Sequence, residues 1–258
     1  MSDIIAAPSV RVLAQKQGVD LEALARALGR QTLTREDVLQ TNTPAAAKAQ
    51  PSYWDIDHSQ FGSVTEEPVS RFKQISAETL AVANQMIPQV THHDRADVRV
   101  IEAFRDDLKL EATARGVKLT ALAFHVKALA HALRAFPRFN ASLGADGQTL
   151  ILKGYVHIAV AVDTEYGLMV PVIRDVNKKG LWQIASQIAD LAKRAQARKI
   201  RPEEMGGASM TITNLGGIGG TAFTPIVNPP EVAILGLTRT EMTPVWNGEA
   251  FAPVPMVP

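Results

Sequence analysis

The apolar positions of this chain fall into two different rhythms. Between residues 4 and 40 they are sparse and helical. Val10, Leu13 and Ala14 make a short stripe after Pro8 and Ser9, and Gly18 is placed to close it in a left-handed conformation. Further on, Thr34, Arg35, Glu36 and Asp37 have the spacing of a capping box with Asp in place of Glu. They predict a second short helix through Val38 and Leu39. A unit of about forty residues buries too little to be very stable alone, so this one is expected to be marginal and dedicated to binding. Residues 41–51 are polar and rich in Ala and Pro, a semi-extended linker.

From about residue 65 the rhythm changes to that of a larger α/β domain. Ser76 is expected to cap a helix through Leu80, Val82 and Met86. Residues 96–116 place Val98, Ile101, Phe104 and Leu108 on one helical face and end at Gly116. The run 120–136 is apolar nearly all round, which predicts a buried helix. Strands are expected at 149–153, 155–163 and 168–174, then an amphipathic helix over 180–199. Strands return at 209–213 and 231–238.

Composition narrows the picture. With 46% hydrophobic and 21% charged residues, the chain has the profile of an ordinary soluble globular protein. A formal net charge of +1 gives no reason to expect nucleic acid or an anionic membrane as partner. The absence of cysteine excludes disulfides, thiolate metal sites and a cysteine nucleophile. No apolar run is as long as a membrane span, and the first ten residues lack the build of a signal peptide, so a cytoplasmic location is expected. No metal is expected. His92 and His93 stand together beside Asp94, but adjacent residues do not face one way on a helix or a strand, and no further ligand cluster accompanies them.

One stretch carries chemistry. Gly217 to Ala222 fits the G-x-G-x-x-G/A dinucleotide fingerprint, which works only where a helix begins. Pro225, Pro229 and Pro230 block any helix there, and no suitably spaced acidic residue follows to bind ribose. The glycines must serve another purpose.

Segments spanning nearly the whole of residues 65–258 then combine into a resemblance. "RFKQIS", "MIPQVTHHDRADV", "EAFR", "KALAHALRAFPRFNASL" and "HIAVAVDTEYGLMVPVIRDVNKKG" are followed by "TITNLGGIGGTAFTPIVNPPEVAILGL". In this order they resemble the catalytic core of the E2 acyltransferases of 2-oxo acid dehydrogenase complexes. "THHDRADV", "NLGGIGGTAFTPIVNPPEVAILGL" and "MTPVWNGEAF" look most like the acetyl-transferring, pyruvate-dehydrogenase branch. Residues 4–40 resemble the family's peripheral subunit-binding domain, although its glycine-rich loop is here "ARALGRQTL" with the single Gly29.

The resemblance implies an α/β core of the chloramphenicol-acetyltransferase type, a mixed sheet with flanking helices. It would occupy 65–258, after a small all-α domain (4–40) and a linker (41–64). It implies acetyl transfer from a lipoyl thioester, carried on a separate domain, to coenzyme A. It also implies homotrimers with active sites between subunits, assembling into larger cages. Thr213 takes the position that hydrogen-bonds the tetrahedral oxyanion, and Asp163 matches a position near the active channel. Arg105 and Phe223 match residues lining the coenzyme A channel, and Gly219 and Gly220 let backbone and coenzyme pass closely. Arg11, Arg30 and Arg35 are candidates for contacting dihydrolipoamide dehydrogenase or the pyruvate-decarboxylating E1 subunit. Apart from the glycines, each also has a plainer reading: a β-favouring threonine, a turn-forming aspartate, a core phenylalanine, solvated arginines.

The family's base is a histidine in an H-x-x-x-D-G motif, reached shortly after a segment like "FAPVPMVP". None of His58, His92, His93, His125, His131 and His157 is followed by that pattern. A lipoyl domain, marked by a lysine in an acidic hairpin, is not found either. The favoured expectation is a fragment of an ordinary acetyltransferase, with an apolar sheet edge uncovered where the motif strand belongs. The alternative is an E2-like protein without its base, serving as a non-catalytic scaffold that binds other subunits.

Overall fold

A computed structural model describes residues 4–41 and 56–258, and the chain divides into two compact units, 1–67 and 68–258. Most of the expected linker therefore lies outside the described residues. Among the described residues, no helix is long and apolar enough to cross a membrane.

Among the described residues, the first unit holds three α-helices, α1 (Pro8–Gln17), α2 (Leu21–Leu28) and α3 (Arg35–Thr41). They gather Val10, Ala14, Leu24, Leu33 and Val38 into a small core. Gly18 ends α1 in the left-handed conformation. Thr34 and Asp37 form the expected reciprocal cap. The Thr34 N–H and hydroxyl donate to Asp37 Oδ2 at 2.8 and 2.9 Å, and the Asp37 N–H donates back at 3.4 Å. Two expectations need correction. Residues 25–28, read as part of a loop, belong to α2, because the Asp20 carboxylate caps the N–H groups of Glu22 and Ala23 and starts a helix there. Nor is the unit helical throughout, because β1 (Ile5–Ala6) and β2 (Thr32–Leu33) pair in parallel.

In the second unit, α4 spans Arg71–Met86 and is capped by Ser70, whose Oγ accepts the Lys73 N–H at 3.3 Å. Ser76 lies inside this helix, since "RFKQIS" already turns helically. Residues 96–116 are not one helix either. Ala96–Asp97 form β3, then α5 (Arg99–Asp107) and α6 (Lys109–Ala114) follow with a break at Leu108. The buried helix is α7 (Ala121–Ala135), which hides Ala123, Val126, Leu129, Ala130 and Leu133, although its far side is exposed. Next come β4 (Ala141–Leu143) and β5 (Leu150–Leu152), an antiparallel pair.

The central sheet is built from β6 (Ile158–Val160), β7 (Val172–Ile173), β8 (Met210–Asn214) and β9 (Ile234–Leu237), with α8 (Leu181–Gln196) between β7 and β8. Its order is β7-β6-β8-β9, and β6, β8 and β9 run parallel while β7 is antiparallel, a mixed sheet. Pleating sends alternate residues to opposite faces. Ile158, Val160, Met210, Ile212 and Leu237 join residues of α7 and α8 in the main core. Ala159, Thr211, Thr213 and Gly236 therefore look the other way. A further hairpin, β10 (Glu241–Trp246) and β11 (Phe251–Val257), pairs with β3 and was not anticipated as strands. Its prolines and exposed aromatics disguise the period-two pattern.

Candidate active site

The parallel strands β6, β8 and β9 finish on one side of the sheet, and the carboxyl ends of such strands are where α/β folds place ligands. Thr213 sits there, half-buried and opposite Gly236 in the parallel register. A Cβ on Gly236 would lie 2.7 Å from Phe223 Cζ and 3.0 Å from its Cε1. The Phe223 ring therefore rests directly on this glycine, on the face that also carries Thr213. Any larger residue at 236 would lift the ring away. A glycine inside an apolar strand signals such a close approach, and "AILGL" held that signal unread.

Phe223 arrives on the loop 215–230, which no helix interrupts. At its start, the Leu215 N–H donates to the Leu237 carbonyl at 2.8 Å and the Gly216 N–H to Asn214 Oδ1 at 2.8 Å. Gly219 and Gly220 follow with φ of +116° and +96°, and no atom lies within 4 Å of where a Cβ would stand on either. Backbone conformation, rather than crowding within the chain, is thus what demands glycine there. Near the loop's end, the Val227 N–H donates to Gln89 Oε1 at 3.1 Å, a tether from the segment after α4 that the sequence did not reveal.

Beside the end of β8 lies a cavity of about 140 Å3, lined by His125 of α7 with Asn214, Gly216 and Thr238. Burial pushes the His125 imidazole below its ordinary value, against the opposing charge of Glu102. Arg105, on α5, holds Glu102 through an ion pair of 2.6 Å. It also lines a separate, open cavity of about 500 Å3 with Asp106, Lys109, Thr113 and Gly116. Arg105 thus lines this cavity and not the one beside the end of β8.

The structure brings Thr213 and Phe223 together, with Gly219 and Gly220 in the same loop. It does not join Asp163 to Thr213 by a hydrogen bond. Asp163 is exposed at the turn beyond the Val162–Met169 bridge. In the first unit, the Arg11 guanidinium donates to the Ile4 and Ala6 carbonyls at 2.8 and 3.2 Å, and Arg30 pairs with Asp37 at 2.6 Å. Both serve their own scaffold, while Arg35 opens α3. Among the described residues, no group of three or more His, Cys, Asp or Glu side chains is arranged to hold a metal ion.

The model of the 2-oxoacid dehydrogenases acyltransferase (catalytic domain) family matches residues 61–258. This chain belongs to that family. The acyltransferase chain is 45% identical to the dihydrolipoyllysine-residue acetyltransferase component of the pyruvate dehydrogenase complex of Pseudomonas aeruginosa, over 98% of its own length and 48% of that protein's. It thus spans about half the length of the curated relatives it matches. Among solved structures, it is similar to Azotobacter vinelandii dihydrolipoamide acetyltransferase, in which a serine, a histidine and an asparagine were studied for their role in the catalytic mechanism. It is equally similar to the cubic core of a pyruvate dehydrogenase multienzyme complex. In each case the identity is 47% and the TM-score 0.78, over 82% of this acyltransferase chain and 86% of the other.

Proposed function

We propose that this chain supplies the oxyanion and coenzyme side of a site that transfers an acetyl group from a lipoyl thioester to coenzyme A, within a pyruvate dehydrogenase complex. One observation carries the reading: the Thr213 hydroxyl stands at the end of a parallel strand, beside the Phe223 ring seated on Gly236. The coenzyme A thiolate attacks the thioester carbonyl. The carbonyl electrons move onto oxygen, where the Thr213 O–H donates a hydrogen bond, and collapse expels the dihydrolipoamide sulfur as a thiolate. A donor aimed at developing charge stabilises the transition state more than the ground state. Phe223 flanks the pantetheine arm, and Arg105 offers a cation to the coenzyme phosphates. Asp163 stands at the mouth of the channel.

The same proposal covers the architecture and assembly. Residues 65–258 form a core of the chloramphenicol-acetyltransferase type, and residues 4–40 act as a subunit-binding domain. Trimers of the chain build a larger cage resembling the cubic core to which it is similar. Arg35 meets dihydrolipoamide dehydrogenase or E1 there, with Arg11 and Arg30 shaping the surface around it. The test incubates the full-length protein with S-acetyldihydrolipoamide and coenzyme A. Acetyl-coenzyme A is expected, from particles whose native mass is a multiple of three chains. Coenzyme-free particles that assemble and bind partner subunits without acetyl transfer would establish the scaffold reading instead.

A further inference from the structure

Glu231 ends the turn that returns the 215–230 loop to the sheet, and only 5% of it is exposed. Burying a carboxyl this deeply is costly unless its oxygens find donors. Oε1 accepts the Thr211 hydroxyl at 2.9 Å and the Asn228 side-chain amide at 3.2 Å. The Glu231 N–H donates to the Asn228 carbonyl at 3.0 Å. Oε2 is buried without a partner. Neither a turn nor a strand end needs a buried carboxyl, since a leucine could fill the same space without that cost. Its partners are informative: Thr211 stands two residues before Thr213 on the same face of β8, and Asn228 closes the loop that carries Phe223.

We propose that Glu231 is a positioning residue of the acyl-transfer site, clasping Asn228 to Thr211 and thereby holding the loop that seats Phe223 on Gly236 beside Thr213. The inference rests on the acyl-transfer reading for its consequence and on the hydrogen bonds alone for the clasp. The carboxyl makes the clasp through Oε1, which accepts both side-chain donors. Burial pushes it above the ordinary carboxylate range, against the hydrogen bonds from Thr211 and Asn228 and the charge of Lys153. Lys153 is the charged group that faces it, and that ammonium is engaged by the Ala208 carbonyl at 2.8 Å. An unpaired neutral oxygen is far cheaper to bury than an unpaired anionic one.

Because both donors reach one oxygen, an amide of the same shape can replace the carboxyl. In the full-length protein, Glu231→Gln is expected to keep the hydrogen–deuterium exchange of amides 217–230, and calorimetric affinity for coenzyme A, within about twofold of wild type. Glu231→Ala is expected to speed exchange in that loop by about tenfold and to weaken coenzyme A binding to a similar degree, with exchange in α7 and α8 unchanged. Gln behaving like Ala would show that the accepting oxygen does not hold the loop and overturn the proposal, as would unchanged loop exchange in the Ala variant. Failure of the wild-type protein to bind coenzyme A would sink the acyl-transfer reading, and the exchange measurement would still decide the clasp.

Discussion

At the scale of single residues, the site depends on a hydroxyl and on a missing side chain. On the proposed acyl-transfer reading, Thr213→Ala removes one donor from the oxyanion. Turnover is expected to fall about a hundred- to a thousandfold, with native mass unchanged. Steady-state acetyl transfer near the wild-type rate would exclude that role. Gly236→Ala pushes a methyl group into the Phe223 ring, where only 2.7 Å is available. The expected cost is about 1–3 kcal/mol in thermal unfolding together with a raised KM for coenzyme A, because the ring must leave its seat. A variant with unaltered KM would mean that Phe223 does not touch the coenzyme. Thr213 was visible in the sequence only by resemblance, since a threonine in a strand is ordinary. Gly236, Gln89 and Glu231 were not recognised, because each acts on a residue far away in the chain.

At the scale of elements, local chemistry explains most of what forms. The Thr34–Asp37 box, the left-handed Gly18 and the amphipathic run of α8 are determined within a few residues, and all are present. Where expectation and structure part, another local cap or a distant partner decides. Ser70 starts α4 ahead of Ser76. β11 draws Ala96–Asp97 out of a helical pattern, through the pairings Met256 with Asp97 and Val257 with Ala96. Asp20→Ala should expose how far α2 relies on its cap. The expected loss is about 1 kcal/mol, read as faster amide exchange confined to residues 21–28. Unchanged exchange there would mean that packing of Leu24 alone holds the helix.

At the scale of the whole molecule, buried ionisable groups give the second unit a pH dependence of definite sign. Burial lowers both His125 and His157 below the ordinary 6.5. His157 Nδ1 also accepts the Asp175 N–H at 3.0 Å, a bond that the imidazolium cannot keep. The unfolded chain therefore takes up protons first as pH falls through about 6.5, and stability should decline over that window. Asp97, Asp146 and Glu204 are held low by hydrogen bonds, chiefly from Arg99, Thr149 and Arg194 respectively, with Glu204 at about 2. Their contribution is present above the ordinary carboxylate range and disappears as they protonate below it. Glu231 acts in the opposite sense, and its cost grows as pH rises above 4.5. Melting temperatures between about pH 8 and 3 should fall first near 6.5, and His157→Gln should reduce that first step. A flat profile from 8 to 5 would contradict it.

The sequence by itself determined the α/β character of the larger unit, with its mixed pattern of strands and helices. It also determined the Thr34–Asp37 cap, the closure of α1 by Gly18, the failure of the glycine loop to start a helix, and the family resemblance. These depend on period, on proline and glycine backbone limits, and on motifs contiguous in the chain. Tertiary structure alone decided that the Phe223 ring sits on Gly236, that Glu231 clasps Thr211, and that Arg105 and Asp163 stand apart from Thr213. Such contacts join residues that chain order separates, and strand register, which no local pattern encodes, sets which of them meet.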